Sequence, residues 1–165
     1  AARTRAVAEA VGAAPAAADA VIAEAGAASA SASPSASASG PRVAFLYLRG
    51  TSAIYLVGGA GSGADSMIAA AGGTDAGAAA GLAAFTPMTA EAVAAMNPDV
   101  ILVMTKGLES VGGVDGLLQL PGVAQTRAGQ ERRVVAVDDT LLLSFGPRTG
   151  ELAAALRSAF AAVSP

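Results

Sequence analysis

The chain has 165 residues, a formal net charge of −3 and 53% hydrophobic residues, with four Phe, two Tyr and no Trp. The sequence contains no histidine and no cysteine, which excludes Ser-His-Asp catalysis, ordinary zinc sites and disulfides. Its scattered arginines form no basic stripe, so we expect no nucleic acid partner, and no apolar run reaches the ~18 residues that span a bilayer.

Residues 1–40 differ in character from the rest of the chain. The first 30 residues are helical in pattern, with apolar side chains recurring on one face: Val7, Val11, Val21, Ile22 and Ala25. Residues 29–40 are a low-complexity run of Ser, Ala and Pro that cannot bury enough apolar surface to offset its ordering entropy. We therefore predict a helical segment followed by a linker.

From Pro41 onward, short apolar runs alternate with helical segments. The patterns predict strands at residues 43–48, 54–57, 100–104 and 134–137, and helices at residues 64–71, 90–96, 114–118 and 149–163. Strands separated by helices in this way indicate an α/β fold, with a parallel or mixed sheet and helices on both faces.

The first predicted strand ends by presenting Tyr47 and Arg49 two residues apart. Side chains at i and i+2 of a strand point to the same face. A phenol beside a permanent guanidinium charge ionises more easily than an isolated phenol, and phenolate is a ligand for ferric haem iron. The simpler alternative is a solvent-facing tyrosine with an unrelated arginine nearby.

A glycine-rich loop at residues 58–65 follows a strand and opens a helix, so its amide groups could bind an anion. From Gly59 it also matches the G-x-G-x-x-A dinucleotide fingerprint. The fingerprint requires a second strand ending in an acid roughly 20 residues on. Residues 71–77 look like a loop instead. A nucleotide-binding Rossmann enzyme stays open as an alternative, beside a tight strand-to-helix turn.

Two further positions carry candidate chemistry. Thr89 is the expected N-cap of the helix at residues 90–96, which places Glu91 in the first turn, where the helix dipole favours a carboxylate. Met104 stands at the carboxyl end of a strand, where open α/β sheets place ligands. Edge core packing is the alternative interpretation of this methionine.

Several segments, taken in order, resemble the C-terminal lobe of a haem-binding protein from an ABC-type iron-uptake system. This group lies within the cobalamin- and siderophore-binding superfamily of periplasmic binding proteins. The first of the matching segments contains Leu-Tyr-Leu-Arg-Gly and the last reads Ser-Phe-Gly-Pro-Arg-Thr. Together they cover residues 42–50, 61–77, 85–93, 97–110, 120–126 and 144–149.

The resemblance implies a two-lobed protein with its ligand held between the lobes. Residues 1–40 would then be the interlobe helix and linker, and residues 41–165 a Rossmann-like C-terminal lobe with a mostly parallel sheet flanked by helices. The N-terminal lobe would be absent from this chain. The implied location is extracytoplasmic, as a periplasmic protein or a cell-surface lipoprotein. A cobalamin or siderophore receptor with the same fold remains the alternative.

The resemblance also assigns roles to individual residues. It makes Tyr47 the ligand to the iron of ferric haem, Arg49 its partner, and Met104 and Phe85 part of the pocket wall. In the family a histidine from the first lobe completes the iron coordination, and this chain departs from that pattern because it has no histidine.

Delivery of the ligand implies docking on an ABC permease in the membrane through an acidic residue of each lobe. Glu91 is the candidate on this lobe, and Asp65 and Asp75 compete with it.

Overall fold

The computed structural model describes residues 40–143 and 148–163. The predicted helical segment and linker before residue 40 lie outside the described residues, as does most of the Ser-Phe-Gly-Pro-Arg-Thr motif. Among the helices described in these ranges, none is long and apolar enough to cross a membrane.

The described chain contains six strands and eight α-helices. The strands are β1 (Arg42–Arg49), β2 (Ile54–Gly58), β3 (Thr74–Asp75), β4 (Phe85–Pro87), β5 (Val100–Met104) and β6 (Val134–Val137). The helices are α1 (Ala64–Ala70), α2 (Ala76–Ala79), α3 (Ala90–Met96), α4 (Thr105–Ser110), α5 (Gly113–Leu118), α6 (Arg127–Gln130), α7 (Asp139–Leu143) and α8 (Thr149–Val163). Short 3₁₀ turns at Gly50–Ser52 and Val123–Gln125 complete the described elements.

The strands form one mixed sheet in the order β4-β2-β1-β5-β6, with β3 beside the start of β1. β1, β5 and β6 run parallel to one another, and β3 is parallel to β1. β2 is antiparallel to β1, and β4 is antiparallel to β2. Three of the five pairings are therefore parallel, and the predicted α/β class with a parallel or mixed sheet is confirmed.

Helices cover both faces of the sheet, and the strand alternation explains how. Along β1, Val43 and Phe45 join one buried cluster with residues of α1, α7 and α8. Leu46 and Leu48 point the other way and join a second cluster with residues of α3 and α5. All five residues of β5 are buried, as expected for a central strand covered on both sides.

The predicted elements agree with the structure to within one residue at each end. The prediction missed two very short strands, β3 and β4, and four short helices: α2, α4, α6 and α7. Residues 85–87, just before the predicted helix at residues 90–96, form the edge strand β4. β3 and β4 have only two and three residues, too few to show a strand period, and they exist because distant strands pair with them.

Candidate ligand-binding site

Tyr47 and Arg49 contact each other on the face of the sheet that carries the first cluster. The Nε–H group of Arg49 donates a hydrogen bond to the Tyr47 hydroxyl oxygen at 3.2 Å. The guanidinium carbon lies 5.1 Å from the centre of the tyrosine ring. The arginine therefore folds back along its own strand, and its hydrogen bond to Tyr47 raises the pKa of the Arg49 guanidinium.

Strand register builds an apolar surface around this pair. Tyr47 lies opposite Leu56 and Arg49 opposite Ile54, so all four side chains share one face. Phe85, from the edge strand β4, packs its ring edge-to-face on Tyr47 with the ring centres 5.8 Å apart. We call these five residues the tyrosine face.

The tyrosine face is partly open. Phe85 is 45% exposed and Ile54 is 42% exposed, and they are the exposed large hydrophobic residues of the described chain. Tyr47 is half-buried. An exposed apolar surface that surrounds an aromatic hydroxyl and a guanidinium is suited to a flat, largely apolar ligand with a polar or metallic centre.

Met104 belongs to the same side of the sheet but not to the exposed surface. It stands at the end of β5, is 1% exposed, and packs within the first core cluster. A ligand could touch it only if the side chains over it moved. Its role in the pocket wall stays a prediction.

Glu91 lies on α3, a helix that packs on the other side of the sheet from the tyrosine face. It is exposed in the first turn of α3, whose buried residues Val93 and Met96 pack on the opposite side of the sheet. Thr89 caps this helix as predicted, accepting a hydrogen bond from the Ala92 N–H group. Permease docking through Glu91 stays a prediction.

Asp65 and Asp75, the two other candidates for permease docking, accept hydrogen bonds from backbone groups within the lobe. Asp75 is buried, and one of its oxygens accepts a hydrogen bond from the Ala78 N–H group, capping α2. Burial raises the pKa of Asp75. This burial removes Asp75 as a docking residue. Asp65 is half-buried, and its carboxylate accepts hydrogen bonds from N–H groups of the preceding glycine-rich loop.

The glycine loop also differs from a nucleotide site. The Asp65 carboxylate accepts hydrogen bonds from the N–H groups of Gly61 and Gly63, and the Gly61 bond is the main reason that the pKa of Asp65 is lowered. These amides are among those that a phosphate would use, and a fixed carboxylate beside them repels an anion. The loop is a self-capped strand-to-helix turn, which was the simpler of the two interpretations.

Sequence reasoning missed three residues near the site. Ile54 and Leu56 share the tyrosine face because β2 is antiparallel to β1, and that pairing was not predicted. Asp139 forms an ion pair with Arg49, its Oδ2 lying 3.5 Å from Nη1. The sequence feature that could have indicated Asp139 is its position just after β6, at the edge of the sheet where the parallel strands end.

The fold and this surface define a ligand-binding α/β lobe whose candidate site lies where the parallel strands end. The family model described as periplasmic binding protein matches residues 2–141, and the chain belongs to this family. The family and the similar structures are substrate-binding transport proteins and not enzymes. Among curated proteins, none matches the chain.

Several solved structures are similar to this lobe. The periplasmic heme-binding protein RhuT from Roseiflexus sp. RS-1 is 45% identical over 99% of this chain, with a TM-score of 0.76. The heme-binding protein HmuT is 38% identical over 87% of the chain, with a TM-score of 0.73. The periplasmic heme-binding protein BhuT, in complex with two hemes, is 33% identical over 99%, with a TM-score of 0.68.

This chain spans about half the length of those proteins, covering 56% of RhuT, 45% of HmuT and 53% of BhuT. Further HmuT structures carry alanine in place of a tyrosine, an arginine or a histidine. The substituted tyrosine and arginine of HmuT stand two positions apart in its sequence.

Proposed function

We propose that this chain is the C-terminal lobe of the substrate-binding component of an ABC transporter. In this proposal it binds ferric haem through the Tyr47 oxygen and delivers it to a membrane permease for iron uptake. The observation that carries the proposal is the 3.2 Å hydrogen bond from Arg49 to Tyr47 on a partly open apolar face.

The chemistry of the pair suits ferric iron. Phenolate is an established protein ligand to haem iron. A neighbouring guanidinium favours the phenolate over the neutral phenol, by charge and by donating a hydrogen bond. Arg49 would thereby support the Tyr47 oxygen as an iron ligand, and displacement of that oxygen would release the haem.

The surrounding surface suits the porphyrin. Phe85 and Ile54 supply exposed apolar area beside Tyr47, and such surface gains free energy when a flat apolar ligand covers it. The chain has no histidine, so a histidine on the other side of the iron would have to come from outside these 165 residues. An N-terminal lobe absent from this chain is the proposed source.

The similar structures support haem as the ligand and the Tyr47–Arg49 pair as its binding site. RhuT, HmuT and BhuT are all described as heme-binding proteins. The tyrosine and arginine replaced in HmuT have the same separation as Tyr47 and Arg49, which makes them the natural counterparts of this pair. RhuT and BhuT are described as periplasmic, which supports an extracytoplasmic location for this chain, and we propose that the protein is periplasmic or a cell-surface lipoprotein.

The two tyrosines of the chain provide a matched test of the iron ligand. Tyr47→Phe removes the proposed ligand oxygen, whereas Tyr55→Phe removes a hydroxyl from β2 on the opposite face of the sheet. On titration with ferric haem, we expect a tyrosinate-ligated absorption spectrum in the wild type and in Tyr55→Phe, and its loss in Tyr47→Phe.

Two outcomes would overturn this assignment. One is an unchanged spectrum in Tyr47→Phe, which would remove Tyr47 as the ligand. The other is binding of cobalamin or a ferric siderophore by a protein that gives no haem spectrum, which would place the chain in another branch of the superfamily.

Docking on the permease is tested separately through Glu91. Glu91 is exposed on α3, which packs on the opposite side of the sheet from the tyrosine face, so Glu91→Gln should leave the haem spectrum unchanged. We expect this variant to lower haem transport by the cognate permease reconstituted in vesicles. Asp65→Asn is the comparison variant. Full transport by Glu91→Gln would reject the docking role.

A further inference from the structure

Asp139 links the ends of three parallel strands. It begins α7, directly after β6, and its Oδ2 lies 3.5 Å from Nη1 of Arg49 at the end of β1. Its other oxygen, Oδ1, accepts a hydrogen bond of 3.1 Å from the backbone N–H group of Lys106, just after β5. Because β1, β5 and β6 are neighbours in the sheet, one carboxylate joins all three strand ends.

The carboxylate is a fixed acceptor. A backbone N–H group in the first turn of a helix cannot rotate away, so the bond from Lys106 holds Asp139 in one orientation. The Asp139 side chain is only 15% exposed, whereas the Arg49 side chain is 37% exposed. Asp139 is therefore the more buried and more fixed member of the pair, and Arg49 is the more exposed member.

Arg49 is held at two points. Its Nε–H group bonds to Tyr47 and its Nη1 faces Asp139, so two different atoms of the guanidinium plane have separate partners. A long arginine side chain at a strand end loses considerable rotamer freedom when it folds back onto its own strand. With the Tyr47 bond alone, the side chain could swing into solvent around a single contact.

We propose that Asp139 is a positioning residue that keeps the Arg49 guanidinium against the Tyr47 oxygen. This inference rests on the proposed function, in which that oxygen binds haem iron. Asp139 does not touch the ligand oxygen itself. It acts through Arg49, and its removal should have no effect on haem once Arg49 is absent.

The neighbouring charges do not share this role. Asp138, which directly precedes α7, accepts hydrogen bonds from the N–H and hydroxyl groups of Thr140 in the first turn of that helix. Exposed ion pairs as a class contribute little. Asp139 differs because it is mostly covered and because its second oxygen is fixed by backbone.

The first test uses the protein without haem. The Nε–H signal of Arg49 in a ¹H–¹⁵N spectrum, assigned by its loss in Arg49→Met, reports whether the guanidinium is held. We expect a slowly exchanging signal in the wild type and in the control Asp115→Ala, which removes an exposed carboxylate elsewhere. In Asp139→Ala the exchange should be at least about tenfold faster. Asp139→Asn keeps an acceptor oxygen and should restore part of the protection.

The second test is a double-mutant cycle on ferric haem binding. Asp139→Ala should weaken binding about 3- to 10-fold and reduce the tyrosinate signature of the spectrum, and adding it to Arg49→Met should change neither quantity further. Circular dichroism checks that each variant is folded.

The outcomes separate this inference from the proposed function. Equal Nε–H exchange in the wild type and Asp139→Ala, or additive effects in the cycle, would overturn the positioning role while Tyr47 remains the ligand. If Tyr47→Phe retained the wild-type haem spectrum, the proposed function would fail, and the exchange test would still decide whether Asp139 holds Arg49.

Discussion

Replacing Arg49 with methionine tests the electrostatic argument at the site. The change removes the charge and the Nε–H donor but keeps a long, flexible side chain. Opposite unit charges about 4 Å apart attract by about 1 kcal/mol in water and about 4 kcal/mol at an effective dielectric constant of 20. The Arg49 side chain is 37% exposed, so the lower half of this range applies, about 1 to 2 kcal/mol.

That loss corresponds to ferric haem binding weakened about 5- to 30-fold. The assay is a haem titration followed by absorbance, with the free energy of unfolding measured in parallel. Arg49→Lys keeps the charge without the planar donor geometry and should lie between the wild type and Arg49→Met. Arg157→Met is the matched control, since it removes an equal charge from an arginine that bonds to the Ala70 carbonyl oxygen on α1.

The reasoning fails if Arg49→Met binds ferric haem within about twofold of the wild type and shows the same tyrosinate spectrum. Such a result would mean that Tyr47 binds iron without help from its neighbour. A fall in affinity of the same size in Arg157→Met would instead show a general effect of net charge.

Three other substitutions test separate features. Asp75→Asn should raise the free energy of unfolding at pH 7, because burial raises the pKa of the Asp75 carboxyl and so disfavours its charged form. The wild type should gain stability as the pH falls from neutral through that pKa, and the variant should lack this gain when urea unfolding is compared at pH 7 and pH 5. Thr126→Val should cost about 1 to 2 kcal/mol in urea unfolding, since the buried hydroxyl donates to the Val123 carbonyl oxygen and accepts from the Gly129 N–H group; an unchanged midpoint would contradict this. Phe85→Ala should weaken haem binding about 2- to 10-fold by removing the edge-to-face ring beside Tyr47, and equal affinity would exclude Phe85 from the binding surface.

The main elements of the fold were predictable because their signals are local. β5 was predicted with its observed bounds, since a short run of buried aliphatic residues between polar boundaries is typical of a strand covered on both faces. β3 and β4 were not, because they have two and three residues and depend on pairing with β1 and β2. The antiparallel direction of β2 was not predicted either.

The local part of the site was predictable, and its long-range contacts were not. Tyr47 and Arg49 are two residues apart, so the strand period alone brings them together. The contact of Arg49 with Asp139 joins parts of the chain that are far apart in sequence, and only the order of the strands reveals it. For Met104, a strand-end position does not tell whether a side chain is covered. The cluster that buries it includes residues of α7 and α8, whose placement the sequence pattern leaves open.

The position of β1 in the sheet has a consequence for how a ligand could enter and leave. β1 pairs with β2, β3 and β5 and sends side chains into both core clusters, so Tyr47 can separate from the lobe only when much of the lobe opens. Phe85 sits on a three-residue strand whose ladder, within the described chain, is formed with β2. The candidate site therefore combines a central strand that is paired on both sides with a short edge strand, and we expect ligand exchange to begin at the edge strand.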